Sequence, residues 1–338
     1  MEELQQENTR IGEKNHSDSL CGKRGKMKKE VFSFDYYCDL IKGKKNMMDC
    51  SEYKYKDKFI PKYLYKYWTF RSSHIDENIE RLLAGEIWMP LATTLNDPFE
   101  FQMIKDNLSE EQKLEFRTCT INTNSVLSLC ANHNNNLLWS HYSWAHTGLC
   151  LEFEVVNSTE VFPIIYSKCQ DDDTFLIKKW LIQKNEVLKK KIDDLTNEEL
   201  YLINRLRRIM LTKKYDWKYE KEYRITRRQI IEDEDNMKLK TGYWENLSRM
   251  GLKLKRIILG FNCDLQNKAK VIEQVNHANK KLITDEMIRT DFKYTMVAVT
   301  ETLREYGDII TLGQKKRRGD SISLYIQELN KDGVYYKG

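Results

Sequence analysis

Residues Asn134–Glu154 read NNNLLWSHYSWAHTGLCLEFE and join a predicted helix to a predicted strand. Two Trp, two His and one Tyr fall within eight residues of its first half, where apolar positions recur at helical spacing. We predict a helix with Asn136 near its N-cap and Gly148 just past its end. From Leu149 onward apolar and polar residues alternate, as in a strand with one buried face. Aromatic and imidazole groups gathered at such a junction indicate a binding site.

The two histidines of this stretch, His141 and His146, raise the question of a metal site. Five residues along a helix separate two side chains by about 140°, whereas helical zinc sites use a four-residue spacing that puts both on one face. We therefore expect no metal site from this helix alone. His141 is equally consistent with a buried structural histidine and with a residue of a site.

The composition is that of a globular protein with reduced thiols. The 338 residues are 41% hydrophobic and 32% charged, enough for one large domain or two smaller ones. The eight cysteines form no C-x-x-C pair, no apolar run approaches the roughly 18 residues of a membrane span, and no secretory signal is visible. We expect a cytoplasmic protein without a membrane partner. The pattern does not indicate an oligomeric state.

Charge is mild overall, at +5, but uneven along the chain. Between Lys178 and Arg228 basic residues outnumber acidic ones two to one. This excess fits either a basic face for an anionic partner or an ordinary solvated helical surface, and the second is the commoner case.

Element patterns favour an α+β fold. Residues 1–60 are predicted to be an N-terminal extension, largely mobile, and 61–338 an α+β domain. Helices interrupt the strands irregularly, which favours a single mixed or antiparallel sheet with flanking helices. A helical hairpin is inserted at about 173–215, and Thr196 with Glu199 forms a capping box for its second helix. The predicted strands cover 62–70, 87–91, 125–131, 149–154, 161–167, 217–228, 255–260, 309–312 and 321–328.

The segment Trp217–Arg224 is a second candidate for a site. If it is a strand, Glu220, Glu222 and Arg224 share one face. Two carboxylates beside an arginine can orient a polar ligand or perform acid–base work. A cross-strand ion-pair ladder explains the same pattern, and from the residues alone it is slightly favoured.

The turn Asn96–Glu100 is a third candidate. Asn and Asp before Pro make a rigid turn that needs no function. In a site, the same turn would present Asp97 or Glu100 in a fixed direction.

Lys66 is the fourth. It shares its strand face with apolar and aromatic residues, an unusual place for a lysine unless it reaches a cleft or an anion. Arg71 lies close to the end of the same strand.

Taken in order, these motifs resemble the bacterial family called domain of unknown function 2971. The resemblance covers roughly residues 61–262, and the chain departs from the family by its long N-terminal extension and its helical hairpin. The family has no established chemistry, but the resemblance implies that the motifs converge on one cleft. The motifs that carry it are Tyr65–Tyr67, Asn96–Glu100, Trp139–Tyr142 with His146–Gly148, and Trp217–Arg224.

A weaker similarity, in motif order alone, links the chain to ADP-ribosyltransferases. There an early basic residue and a middle Tyr or Ser hold NAD, and a late Glu assists transfer. The similarity implies an ADP-ribosyltransferase-like core acting on a nucleotide or nucleic acid. A role as a toxin or phage-defence effector is a separate hypothesis that rests on no residue of the sequence. The implied catalytic residues are Glu222, His141 and Glu220. The implied substrate-binding residues are Lys66, Arg71, Asn96, Asp97, Glu100, Trp139, Tyr142 and Arg224.

Two alternatives stay open. The first is a metal-dependent phosphodiesterase or nuclease, in which the carboxylates hold Mg²⁺ or Mn²⁺. Its ligands would be Asp97, Glu100, Glu220 and Glu222. The second is a non-catalytic module that binds nucleic acid through the basic hairpin, with the motifs structural.

Overall fold

The structure is a computed structural model that describes residues 31–42, 53–72, 74–97, 100, 108–168, 173–191, 194–229, 241–286, 298–305 and 308–311. The chain divides into two units, Met1–Val31 and Phe32–Gly338, and almost all of the first lies outside these ranges. The predicted strand 321–328 and much of the N-terminal extension also lie outside them.

The second unit contains both helices and strands. Its helices are α1 (Phe34–Ile41), α2 (Ile75–Leu83), α3 (Glu110–Phe116), α4 (Asn136–Tyr142), α5 (Thr174–Val187), α6 (Asn197–Leu211) and α7 (Leu265–Glu286). Its strands are β1 (Tyr63–Trp68), β2 (Glu86–Pro90), β3 (Asn124–Cys130), β4 (Leu149–Val155), β5 (Phe162–Pro163), β6 (Ile165–Ser167), β7 (Thr212–Lys214), β8 (Glu222–Arg228), β9 (Gly242–Asn246), β10 (Leu252–Leu259), β11 (Ala298–Glu305) and β12 (Asp308–Thr311).

Eight strands form one sheet in the order β12-β11-β10-β4-β1-β3-β8-β5. All of its pairs are antiparallel except β10 with β11. Two short sheets, β2 with β9 and β6 with β7, accompany it. The predicted α+β class with a mixed, mostly antiparallel sheet is confirmed.

The centre of the sheet opens between β1 and β3. β1 pairs with β4 along its whole length, from Tyr63 to Trp68, and β3 pairs fully with β8. β1 and β3 themselves are joined by a single residue pair, Tyr65 with Cys130. The two halves of the sheet therefore diverge on either side of this pair.

The main core lies on one face of the sheet, where the predicted alternation is confirmed. Leu64 on β1 and Phe153 on β4 are fully buried there, with helices α2 and α7 covering them. Burying each such side chain stabilises the fold by about 1.5–3 kcal/mol. The opposite face carries Tyr65, Tyr67 and Cys150, packed against α4.

The helix in the Asn134–Glu154 stretch is shorter than predicted. Asn135 caps α4 through its side chain, and the helix ends at Tyr142 instead of running to Gly148. Three left-handed residues follow, at 144–146, with φ of 52°, 51° and 66°. Gly148 is required because a Cβ there would lie 2.0 Å from the carbonyl oxygen of Trp68.

His146 consequently lies outside the helix, and the helical angle between the two histidines does not apply. Its ring is stacked 5.9 Å from that of Trp139 and lies 4.5 Å from that of Phe261.

The inserted hairpin is present, with corrections at its end. The capping box of Thr196 and Glu199 at the start of α6 is confirmed. The helix ends at Leu211, and β7 follows it. The predicted strand 217–228 is wrong in its first part, because 215–220 form a 3-10 helix and Lys221 is left-handed, with φ 47°. The predicted strand 161–167 divides into β5 and β6.

Candidate functional site

A cavity of about 290 Å³ occupies the gap between β1 and β3. Six of the residues singled out from the sequence line it: Lys66, Asn96, Glu100, Tyr142, Glu220 and Glu222. Tyrosines, small and apolar residues and one further lysine complete the wall: Tyr65, Tyr67, Pro90, Thr94, Leu95, Val126, Ser128, Leu129, Cys130, Leu138 and Lys213. Residues from distant parts of the chain therefore share one concave surface.

Two side-chain hydrogen bonds beside the cavity connect β1 to β3 and to Asn132, the second residue after β3. The Lys66 ammonium donates a hydrogen bond across the gap to the carbonyl oxygen of Ser128, at 3.3 Å. The Tyr67 hydroxyl donates to the carbonyl oxygen of Asn132 at 3.1 Å. Side chains thus replace the main-chain pairing that the two strands lack here.

One wall of the cavity is formed in part by a buried ion cluster, in which each side chain is at most 5% exposed. Its members are Glu100, Lys213, Glu220, Glu222 and Arg224, and all of them except Arg224 line the cavity. Arg224 donates from Nε to Glu222 Oε1 at 2.6 Å, and its Nη2 lies 2.7 Å from Glu100 Oε2. The Lys213 ammonium lies 2.7 Å from Glu220, 3.1 Å from Glu222 and 3.3 Å from Glu100. Such a cluster is costly to bury unless its charges and hydrogen bonds are matched, as they largely are here.

The cluster differs from the predicted cross-strand ladder. Glu222 and Arg224 do share a face of β8, but they pair with each other along the same strand. Glu220 arrives from the 3-10 helix, and Glu100 from the turn after β2. Lys213 on β7 holds all three carboxylates together.

Charge pairing fixes the ionisation of two members. Burial alone would raise the pKa of Glu222, but Arg224 and Lys213 outweigh burial and hold this pKa well below its usual range. Burial alone would lower the pKa of Lys213, but the three surrounding glutamates raise it. Glu222 is therefore ionised and Lys213 protonated at neutral pH.

Glu100 is shifted the other way. Burial raises the pKa of this carboxyl, and Arg224 offsets only part of that shift because Glu222 adds to it. Within one cluster, the environments of Glu100 and Glu222 thus separate their proton affinities.

Tyr142 and Glu220 form a hydrogen-bonded pair on the cavity wall. The Tyr142 hydroxyl donates to Glu220 Oε1 at 2.6 Å, while Glu220 Oε2 accepts from Lys213 at 2.7 Å. Burial, with the charge of Glu220, raises the pKa of Tyr142, and the Asn96 side chain also hydrogen-bonds to its hydroxyl. The pair presents an oriented acid and base to the cavity.

Residues 138–225 match a family described as "Protein of unknown function (DUF2971)". The predicted resemblance to this family is thereby confirmed for these residues, whereas the motifs Tyr65–Tyr67 and Asn96–Glu100 lie outside the match. The DUF2971 match begins on the cavity-lining Leu138 and ends on β8, so it includes Tyr142, Lys213 and Glu220. No curated protein and no solved structure matches the chain significantly.

Five other residues expected in the site do not line the cavity. Within the DUF2971 match, Trp139 is fully buried, donates from Nε1 to the carbonyl oxygen of His133 at 2.6 Å, and packs edge-on against Tyr67. Trp139 therefore supports a wall tyrosine from behind. Arg224, in the same match, lies behind the wall in the ion cluster.

The other three lie elsewhere. His141 is exposed on α4, its ring 6.4 Å from that of Tyr142. Arg71 lies on the exposed ring of Trp144, 3.1 Å from its centroid. Asp97 is buried beside the wall residue Asn96.

Lys213 is the main residue that the sequence interpretation missed. It stands in a Thr-Lys-Lys run after α6 and resembles the other lysines of the basic hairpin. Its role was indicated only indirectly by the sequence. Closely spaced glutamates, if buried, need more than one cation to balance their charge, so a partner besides Arg224 was to be expected.

Among the residues that the structure describes, no group of three or more His, Cys, Asp or Glu is placed to hold a metal ion. The carboxylates of the cavity are instead paired with Lys213 and Arg224. No helix in the described ranges is long and apolar enough to cross a membrane.

Proposed function

We propose that the protein is an enzyme with an ADP-ribosyltransferase-like site that acts on a nucleotide substrate, with NAD as the first candidate. One observation carries the proposal: Lys66, Tyr142 and Glu220, which come early, midway and late in the chain, line the same cavity. A basic residue, an aromatic hydroxyl and a glutamate in this order match the plan inferred from the motifs.

Glu220 is better suited than Glu222 to the acting role. Glu222 accepts two hydrogen bonds from Arg224 and one from Lys213, which saturate much of its carboxylate. Glu220 accepts one bond on each oxygen and faces the cavity. We assign Glu220 to stabilise positive charge that develops on the ribose as its N-glycosidic bond breaks, and Glu222 to position the cluster.

The cavity walls suit a planar group attached to a sugar. Tyr65, Tyr67 and Tyr142 place three aromatic rings around the opening between the strands, and aromatic rings bind planar heterocycles by stacking. The volume of about 290 Å³ is near the lower end of the range of about 300–1,000 Å³ for ligand pockets. The cavity would therefore hold the reacting half of a dinucleotide.

The test is turnover of NAD labelled in its ADP-ribose part, with the purified full chain alone and with RNA, DNA and a protein extract. We expect nicotinamide release, lowered by about 10²-fold or more in Glu220→Gln, since one group that stabilises transition-state charge contributes about 10²–10³-fold. Tyr142→Phe should also lower the rate, because it removes the hydroxyl that orients Glu220. Glu154→Gln and Tyr201→Phe make the same changes away from the cavity and should keep wild-type rates.

Absence of NAD turnover by the wild-type protein under every condition would refute the proposal. Cleavage of nucleic acid that a chelator abolishes would instead favour the metal-dependent phosphodiesterase.

A further inference from the structure

The cavity contains two lysines with opposite surroundings. Lys213 is held by three carboxylates within 3.3 Å. For Lys66 no carboxylate of the described residues lies within the 4.0 Å of an ion pair, and its hydrogen bond goes to the main-chain oxygen of Ser128. One lysine is a fixed structural cation, whereas the other faces the cavity without a counter-ion in contact.

The position of Lys66 on the strand explains this difference. Lys66 lies in the middle of β1, where its neighbours Tyr65 and Tyr67 are mostly buried and Leu151 of β4 is its cross-strand partner. Such surroundings disfavour an ammonium ion. Burial lowers the pKa of Lys66, and the charge of Glu222 offsets only part of that shift. Desolvated lysines with lowered pKa are the ones that act as nucleophiles.

We propose that Lys66 is a nucleophilic amine that captures the aldehyde carbon of a ribose-type sugar in the cavity as an imine. The choice of sugar rests on the proposed function, because hydrolysis of an N-glycosidic bond, with water as the acceptor, leaves a ribose whose C1′ is an aldehyde in the open-chain form. The capture itself requires only an aldehyde and the amine.

The step is a condensation that neither oxidises nor reduces. The Nζ lone pair forms a bond to C1′, and the electron pair of the C=O bond moves to oxygen, which takes a proton as Nζ loses one. A second proton on the resulting hydroxyl lets it leave as water while nitrogen forms the C=N bond. Nitrogen then gives up its remaining hydrogen as a proton, so that the overall products are the imine and one water. Tyr142, paired with Glu220, and the carboxyl of Glu100 line the same cavity and can exchange these protons.

The experiment is reductive trapping on the full-length protein with ribose 5-phosphate and sodium cyanoborohydride, followed by peptide mass spectrometry. We expect the reduced adduct on Lys66 well above that on Lys62, an exposed lysine just before the same strand. For each pKa unit that separates the two amines, the neutral fraction at pH 7 differs by roughly tenfold. The labelling rate of Lys66 should also reach its plateau at a lower pH than that of Lys62.

Lys66→Arg keeps a cation at the position but removes the nucleophile, so the adduct should disappear from the cavity while circular dichroism stays unchanged. If this variant fails to fold, the adduct map of the wild-type protein decides alone. Labelling spread evenly over surface lysines, or found on Lys213 in preference to Lys66, would overturn the proposal. An adduct with propanal but none with ribose 5-phosphate would overturn its sugar specificity.

The probe is already an aldehyde, so the result does not depend on NAD turnover. Labelling of Lys66 in a protein that does not turn over NAD would refute the proposed function and support the nucleophilic amine. Turnover of NAD without any adduct on Lys66 would support the proposed function and refute the nucleophilic amine.

Discussion

Replacing Arg224 by methionine tests whether the buried ion cluster holds the sheet together beside the cavity. The guanidinium is fully buried, and its contacts include two to Glu222 at 2.6 and 3.2 Å, one to Glu100 at 2.7 Å and one to the carbonyl oxygen of Met210 at 2.9 Å. Its removal leaves two buried carboxylates with Lys213 as their remaining close cation. Breaking a buried pair in this way costs about 3–5 kcal/mol, so we expect a loss of that size in the free energy of unfolding.

The same strand offers a matched control. Arg227 lies three residues further along β8, and its 2.7 Å pair with Glu160 is about one-third exposed. Arg227→Met should therefore cost only about 0–1 kcal/mol. Urea unfolding, monitored by tryptophan fluorescence and far-UV circular dichroism, measures the free energy of unfolding of both variants. The comparison requires that the dependence of this free energy on urea concentration be the same in each.

A double variant separates the pair from the individual residues. Arg224→Met combined with Glu222→Gln should cost less than the sum of the single changes, because the second change removes a carboxylate that the first left unpaired. Equal losses for the Arg224 and Arg227 variants, or strict additivity in the double variant, would refute the view that buried charge pairing stabilises this wall.

Three further expectations follow from single residues. Burial lowers the pKa of Lys56 to about 8. Between pH 8 and 10.5 the unfolded chain therefore binds more protons than the folded one, and the free energy of unfolding rises with pH by up to about 3 kcal/mol. Chemical unfolding across this range should show the rise, and Lys56→Met should abolish it. Glu222 has a lowered folded pKa, so its contribution is present above pH 4.5 and is lost as the solution is acidified, and acid unfolding of Glu222→Gln should lack that component. The Cβ of Gly148→Ala would lie 2.0 Å from the Trp68 carbonyl oxygen, whereas the Cβ of Gly85→Ala meets open space but stands on backbone with a φ of +92°. We expect Gly85→Ala to lower the free energy of unfolding by about 1–2 kcal/mol and Gly148→Ala to lower it by more, as measured by thermal melts.

Periodicity explains which parts of the fold could be predicted. The alternating faces of β1 and β4 follow from the two-residue period of a strand, and the start of α6 follows from its capping box. The errors fall where ordinary residues adopt left-handed backbone, at 144–146 and at Lys221. A left-handed backbone conformation at such residues is energetically unfavourable and must be offset by contacts with neighbouring residues. No local sequence pattern predicts it.

The site was partly predictable for a similar reason. Polar residues in odd surroundings, such as Lys66 on an apolar strand face, pointed to the cavity. Trp139 and His141 lie next to Tyr142 in the chain, yet one is buried behind the wall and the other is exposed. The sequence therefore identifies the segment that forms the wall. Which of its side chains faces the cavity depends on where the short helix α4 ends. The splitting of β1 from β3, which creates the cavity, depends on long-range pairing that a single strand does not reveal.

The charges around the cavity connect the ion cluster to the proposed amine. Three carboxylates face Lys213, Arg224 and Lys66, so the ionised set is neutral overall. Moving one proton from Lys66 to Glu100 keeps both the net charge and the proton count, and burial favours the neutral form of each group. That transfer gives a free amine and a carboxylic acid on the wall of one cavity, the pair that imine formation needs.

Glu100→Gln tests this coupling directly. With a neutral amide at position 100, the two remaining glutamates, Lys213, Arg224 and a protonated Lys66 together carry one excess positive charge. The ammonium form therefore loses support, and the labelling midpoint of Lys66 should move to lower pH. Glu154→Gln, which removes a carboxylate of β4 outside the cavity, should leave the midpoint in place. A midpoint that shifts equally in both variants, or rises in Glu100→Gln, would show that Lys66 titrates independently of the cluster. The free amine would then have its origin in burial alone, and the ion cluster would serve only to hold the wall.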